Sequence, residues 1–292
     1  MPLTNERVAF VGCGAMGEAM VRGLLRDRLI APEQIVVSHP RAERRRELED
    51  SYGVEAVGEN AAAAGRATVV VICVKPQFLR EVLVDLDDAA APECLVMTIV
   101  AGARVESFVG ALKTPAVVRV MPNTPGQIGR GISVWTATES VDAAGRAKTR
   151  AILSALGVEE YVTHENELDM ATALSGTGPA YTFLFMEALI DAGVHLGFSR
   201  RVASRLVVET MRGAVEYAAS SPHHLAKLRN QVTSPGGTSA EALYHLEKGR
   251  LRTVLSDGVR AAHRRCVELG ARVLEGNSDN PPEPQVQRTS QP

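Results

Sequence analysis

Lysine is the scarce residue of this chain. Only five of its 32 basic residues are lysine, and none falls between Lys148 and Lys227. An enzyme that depends on a lysine acid or a Schiff-base lysine would have little to choose from. Aromatic residues are equally thin at 4%, with a single tryptophan, which argues against a stacking platform for single-stranded nucleic acid. The formal net charge is −2, so no overall field draws the chain to nucleic acid or to an anionic membrane. Cys13, Cys73, Cys94 and Cys266 are scattered, without a CxxC pair or a histidine nearby to complete a zinc pattern, and read as reduced, mostly buried thiols; no metal site is expected. His223-His224 lacks spaced carboxylates and reads as a solvated loop. The strongest apolar run, residues 69–74, has the length of a strand and not of a membrane span. The N-terminus carries no signal-peptide core, and the expectation is a cytoplasmic protein.

What is present is the composition of a globular enzyme: 292 residues, 45% hydrophobic and 23% charged, enough for two ordinary domains. The first half alternates strands and helices. Strands are expected at residues 7–12, 34–38, 69–74, 95–100 and 117–121, with a further one at 131–137, and helices at 15–27 and 41–51. Continuous β-branched runs are the mark of parallel strands buried on both faces. The fold class is therefore α/β: a doubly wound parallel sheet of Rossmann type over residues 1–165. From about residue 166 strand-like runs stop. Helical periodicity takes over at 180–196, 200–219, 239–248 and 251–274, giving an all-helical second domain over 166–276. In its first long helix Phe183, Leu184, Phe185, Met186, Leu189 and Ile190 come almost in a row. A helix that is apolar nearly all round is buried on several sides, so this domain is expected to pack against a second copy. Residues 277–292 are rich in Pro, Ser and Gln and are expected to form a disordered tail.

Gly12-Cys13-Gly14-Ala15-Met16-Gly17 is a GxGxxG that follows a strand and opens a helix, the context that gives the pattern meaning. Gly12 permits the tight turn, Gly14 the approach of a pyrophosphate, and Gly17 close packing of helix on strand. The helix N-terminus offers free amides to the phosphates. An NAD-preferring site usually ends the second strand on a carboxylate. Here it ends Ser38-His39-Pro40-Arg41, with no acid. Ser38, Arg41 and Arg44 are placed to meet a 2′-phosphate, so NADPH is favoured, with NADH still possible; Arg45 and Arg46 read as surface charge. At the end of the fourth strand, Lys75-Pro76 sets a lysine on a rigid turn beside the cofactor crevice.

Two glycine-rich turns precede long helices: Ser175-Gly176-Thr177-Gly178-Pro179 and Thr233-Ser234-Pro235-Gly236-Gly237-Thr238-Ser239. Small residues, free amides and hydroxyls at a helix N-terminus form a receptor for a small carboxylate. The second turn also reads as a simple cap by Thr238 or Ser239. The two-domain plan is similar to that of the β-hydroxyacid dehydrogenases, which carry a catalytic lysine on the first long helix of the second domain; here that helix has none. Reducing a ketone needs an acid for the developing alkoxide. A protonated imine is already electrophilic, and hydride addition neutralises it. Orientation, with a hydroxyl near the nitrogen, is then the main demand, and the residues present suit an imine better.

Over residues 6–275 the chain resembles pyrroline-5-carboxylate reductase. The resemblance is carried by the 12–17 loop, Val74-Lys75-Pro76, Arg119-Val120-Met121-Pro122-Asn123-Thr124-Pro125, Ser175 to Tyr181, and Gln231-Val232-Thr233-Ser234-Pro235-Gly236-Gly237, in the family's order and spacing. It implies NAD(P)H-dependent reduction of Δ1-pyrroline-5-carboxylate to L-proline. It implies cofactor contacts at Gly12, Cys13, Gly14, Ala15 and Met16, at Ser38, Pro40 and Asn60, at Cys73, Val74, Lys75 and Pro76, and at Val100 and Ala101. It implies a substrate site at Val232, Ser234, Gly236, Gly237, Thr238 and Ser239, with Thr238 and Ser239 in the catalytic role. It also implies homodimers through the helical domain, with decamers as a further assembly. The chain departs from the family's pattern at Ser239, where a second threonine is usual, at Asn230, often Asp, and at Thr177, commonly Ser. These differences leave open a related cyclic imino acid as substrate.

Overall fold

The computed structural model describes residues 2–275; the tail expected at 277–292 lies outside them. They divide into two compact units, residues 2–172 with 263–275, and residues 173–262. The domain boundary expected at 165/166 falls earlier than this division. The helix that follows residue 165 and the end of the last helix both belong with the sheet, for reasons given below.

The first unit is built on one eight-stranded sheet in the order β3-β2-β1-β4-β5-β6-β7-β8. Its strands are β1 (Val8–Val11), β2 (Ile35–Ser38), β3 (Glu55–Val57), β4 (Val69–Ile72), β5 (Leu95–Thr98), β6 (Val117–Met121), β7 (Gly131–Ala137) and β8 (Gly157–Tyr161). All pairings are parallel except β6 with β7. The first six strands have the dinucleotide-binding order, with its crevice where β1 meets β4. Between them run α1 (Ala15–Arg26), α2 (Ala42–Tyr52), α3 (Asn60–Ala64), α4 (Leu79–Leu86), α5 (Val105–Ala111) and α6 (Ala143–Ser154), and α7 (Asn166–Ala171) follows β8.

Strand periodicity sorts the core into two layers. Val8, Phe10, Ile35, Val37, Val69, Val71 and Met97 pack with Met20 and Leu24 of α1 and Ile152 of α6. Ala9, Val11, Val36, Val70, Ile72 and Val96 face the other way, onto Ala63, Leu79, Leu83 and Phe108. The expected strands 69–74 and 95–100 stop at Ile72 and Thr98, because the chain beyond them turns out to form crevice loops. β3 and β8 carried no periodic signal: β3 has three residues, and β8 is an edge strand, GVEEY, with Glu159 and Glu160 at its centre.

The second unit contains α8 (Gly178–His195), α9 (Arg200–Ser220), α10 (Leu225–Gln231), α11 (Thr238–Lys248) and the first half of α12 (Leu251–Glu275), as far as Ala262. A π-helical turn over Thr172–Gly176 precedes α8. His223 and His224 lie in an exposed loop, as expected, and His224 ends it as the N-cap of α10, where its Nδ1 accepts the Ala226 amide at 3.2 Å. α8 and α9 approach closely where Gly193 faces Ala203. Yet among the described residues only Ala173, Ala203 and Leu228 of this unit are buried hydrophobics, while Phe183, Leu184, Leu206, Val215 and Leu255 are exposed. No described helix is long and apolar enough to cross a membrane.

Candidate active site

The glycine loop at the carboxyl end of β1 is held from three sides. Gly12 has φ +70°, and a Cβ there would stand 2.2 Å from Val74 Cγ1. Its amide donates to Ser38 Oγ at 3.2 Å, and the Cys13 amide to the Ser38 carbonyl at 2.9 Å. Under Gly17, the Cys13 and Cys73 sulfurs lie 3.2 Å from where a Cβ would be, so helix and strands meet almost without a gap. Burial pushes the Cys13 thiol up to about 12 and the Cys73 thiol well above its usual range; both are packing atoms, not nucleophiles. Gly14 differs. Apart from its chain neighbours, a Cβ there would meet nothing nearer than the Gly12 carbonyl at 3.8 Å, which leaves room for a phosphate to approach the backbone. The first-turn amides of α1, from Ala15 and Met16 onward, lack intrahelical acceptors and can meet it.

Ser38, read as a donor to a phosphate, is fully buried and committed elsewhere. Its hydroxyl accepts the Gly12 amide and donates to Asn60 Oδ1 at 2.7 Å. Asn60 in turn donates to Asp85 at 2.9 Å. Ser38 and Asn60 thus tie the glycine loop to α3 and α4. Arg44 is also spoken for: it bonds Glu18 at 2.5 Å and Glu47 at 2.9 Å, and Tyr52 donates to the same Glu18 carboxylate at 2.7 Å. This corrects the expectation that Arg44 reaches a phosphate. Arg45, read as surface charge, donates from one nitrogen to the His39 carbonyl at 2.8 Å and the Pro40 carbonyl at 2.9 Å. Arg41 is exposed, and among the described residues its guanidinium has no ion-pair partner. Its amide donates to His39 Nδ1 at 3.2 Å. Burial, then the Arg41 and Arg44 charges, hold the His39 pKa below its usual value. The loop therefore carries net positive charge and ends at a helix N-terminus, as an anion site should.

On the far side of the crevice, Lys75 opens a 3-10 turn over Pro76–Phe78, and Cys73 and Val74 form the segment that leaves β4. Val100 is buried, its amide bonded to Thr98 Oγ1 at 3.2 Å, and Ala101 is half-buried beside it. The 12–17 loop, 38–41, Asn60, 73–76 and 100–101 all follow the carboxyl ends of parallel strands.

In the helical unit the second glycine-rich turn is compact. Thr233 Oγ1 donates to the Arg229 carbonyl at 2.7 Å, and the Gly237 amide to the Ser234 carbonyl at 3.0 Å. Gly236 has φ +71°, and a Cβ on Gly237 would stand 2.4 Å from Ser234 Oγ. The N-cap of α11 is Gly237, with no side-chain cap. The cap reading for Thr238 or Ser239 is thereby corrected: they are the first two helical residues, and a hydroxyl caps from the position before them. Val232, Ser234 and Thr238 are exposed and Ser239 is half-buried. The turn thus offers first-turn amides and uncommitted hydroxyls.

One cluster escaped the sequence reading. Arg119 on β6 is 2% exposed. It donates to Glu165 at 2.8 Å and to Asp169 of α7 at 2.7 Å. Glu165 also accepts the Val105 amide at 2.8 Å, and Cys266 of α12 approaches Asp169 at 3.6 Å. Together with the close approach of Gly102 and Gly270, these contacts keep α7 and the end of α12 with the sheet. The available signal was a lone charge inside an apolar strand, which is buried only when paired.

A family model for pyrroline-5-carboxylate reductase dimerisation matches residues 165–269, and one for coenzyme F420-dependent NADP oxidoreductases matches residues 7–102. The chain is 38% identical to a pyrroline-5-carboxylate reductase of Synechocystis sp. over 90% of its own length and 98% of the relative's. It is 39% identical to one of Pseudomonas aeruginosa, over 91% and 98%. The crystal structure of a Plasmodium falciparum pyrroline carboxylate reductase with NADP bound superposes with a TM-score of 0.83 at 30% identity, covering 91% and 98% of the two chains.

Proposed function

Since the chain belongs to the pyrroline-5-carboxylate reductase family, we propose that it reduces the C=N bond of Δ1-pyrroline-5-carboxylate to give L-proline, the last step of proline biosynthesis, with NADPH as reductant. The observation that carries this reading is the α11 turn, whose amides and two leading hydroxyls serve no cap.

NADPH, when bound, supplies the hydride. The glycine loop, the 73–76 segment and Val100-Ala101 would hold it, with Pro40 and Arg41 at its 2′-phosphate. The open side of Gly14 and the uncompensated charge of Arg41 suit that group. The first-turn amides of α11, from Thr238 onward, receive the substrate carboxylate beside Gly236 and Gly237, and Val232 and Ser234 border it. Ser239 places its hydroxyl at the ring nitrogen, and Thr238 stands beside it. The substrate enters as the cationic iminium, so hydride addition at carbon sends the C=N electron pair to nitrogen and cancels the charge. No oxyanion forms, and no strong acid is required of α8. The product amine then takes a proton from water.

Ser239→Ala should lower kcat by about one to two orders of magnitude, roughly 1.4–2.7 kcal/mol of transition-state stabilisation. Stopped assays with saturating NADPH would measure it, and unchanged kcat would remove Ser239 from the chemistry. The direct test of the activity is NADPH oxidation with the five-membered imine, beside its six-membered analogue and a 3-hydroxy acid assayed in reverse. Turnover of the six-membered imine alone would sink the proline assignment.

The reading divides the chain into a cofactor domain, 1–165, and a substrate and dimerisation domain, 166–276. A helical unit that buries only Ala173, Ala203 and Leu228 among its described hydrophobics has too little core to stand alone. It pairs with a second copy, and decamers are the further assembly of such dimers. The protein works in the cytoplasm.

A further inference from the structure

The loop between β2 and α2 has an unusual electrostatic arrangement. Arg41, Arg44 and Arg45 gather at the N-terminus of α2, where the helix dipole disfavours cations. Only Arg44 is neutralised, by Glu18 and Glu47. Arg45 makes no ion pair among the described residues. It spends its donors on backbone: a single nitrogen, Nη1, holds the carbonyls of both His39 and Pro40. Its guanidinium lies against Gly58, where an added Cβ would stand 3.6 Å from Nη1 and 3.7 Å from Cζ. The His39 amide donates to the Val57 carbonyl at 3.2 Å, so the loop is gripped from β3 and from α2 together.

Two consequences follow from that grip. A carbonyl oxygen turned toward an incoming phosphate repels it, and here the two carbonyls are drawn onto a cation instead. A loop that ends in proline and a flexible arginine otherwise samples many conformations, and ordering it on binding costs affinity. We propose that Arg45 is the positioning residue for cofactor choice: it fixes the 38–41 loop so that Arg41 meets the 2′-phosphate, and it leaves a full positive charge at that loop. Arg45 itself does not touch the cofactor. The inference rests on the reading that this loop receives the 2′-phosphate.

The test compares two fragments on the full-length protein by calorimetry: adenosine 2′,5′-bisphosphate, which carries the 2′-phosphate, and ADP, which does not. With Arg45→Met the bisphosphate should bind about tenfold more weakly, while ADP changes by no more than about twofold. The KM for NADPH should rise by a similar factor of about ten, with the loss falling on KM and not on kcat. Arg45→Lys should recover most of the affinity, because one nitrogen makes both bonds and an ammonium can replace it. The ratio of the two fragment affinities is taken on one sample, so partial unfolding moves both together and leaves the ratio intact. Equal weakening of both fragments, or weakening of neither, overturns the proposal. Arg41→Ala is measured alongside. If it fails to weaken the bisphosphate selectively, the loop reading itself falls. If it discriminates and Arg45→Met does not, only the role of Arg45 is lost.

Discussion

Arg119→Met is expected to destabilise the protein by about 3–5 kcal/mol, the usual result of leaving buried carboxylates without their cation. Arg119 is 2% exposed and Asp169 4%, so water cannot take the guanidinium's place. Arg104 stands 3.8 Å from Asp169 and is partly exposed, and the Val105 amide still serves Glu165. These partners put the expected loss toward the lower end of that range. Urea denaturation gives the value. The informative companion is the triple variant with Glu165→Gln and Asp169→Asn, in which no charge is stranded. It should recover a large part of the loss, because replacing a whole buried ion network by neutral groups is often close to neutral. A single variant within about 0.5 kcal/mol of the parent would mean that the network contributes nothing to stability.

Gly12→Ala should be nearly as damaging, for a different reason. At φ +70° an L-residue is strained by about 1–2 kcal/mol, and the methyl would collide with Val74 at 2.2 Å. Overpacking of that kind adds about 1–3 kcal/mol. The loop must shift to relieve it, and it carries the Ser38 bond and the first-turn amides with it, so cofactor affinity should fall on the order of 100-fold. Gly14→Ala separates the two effects. Apart from its chain neighbours, no atom lies nearer than 3.8 Å to that Cβ, and Gly14 is the N-cap of α1, where alanine is poorer than glycine, so stability should fall by only about 1 kcal/mol while NADPH binding still drops. Thermal melts with and without NADPH measure both. Equal behaviour of the two variants would refute the distinction.

Much of this was legible in the sequence because the physics is local. A β-branched run such as Val69 to Ile72 buried on both faces has few alternatives to a central parallel strand, and a GxGxxG between strand and helix has few alternatives to a phosphate turn. The end of β2, with no carboxylate, pointed to the phosphorylated cofactor. What stayed hidden depends on pairs far apart in the chain. Ser38 looked like a free hydroxyl because Asn60 lies 22 positions on, and Arg44 looked available because its partner Glu18 sits on another helix. Arg45 looked idle because backbone carbonyls leave no trace in a sequence. The lysine-free α8 was visible, but the near absence of a core in its unit was not. Amphipathic faces announce burial without saying against what.

Asp169 and Cys266 are 97 positions apart and meet at 3.6 Å. The chain leaves the sheet unit just after the first and comes back to it just before the second. Seen as polymer, the intervening helices are one long loop pinned at neighbouring points. Closing a loop of that size costs on the order of 4 kcal/mol by the (3/2)RT ln n relation, and doubling it would add only about 0.6. The nucleotide-binding unit is thus almost indifferent to how much chain it holds between those two residues, and the intervening helices could change in length without loosening the sheet.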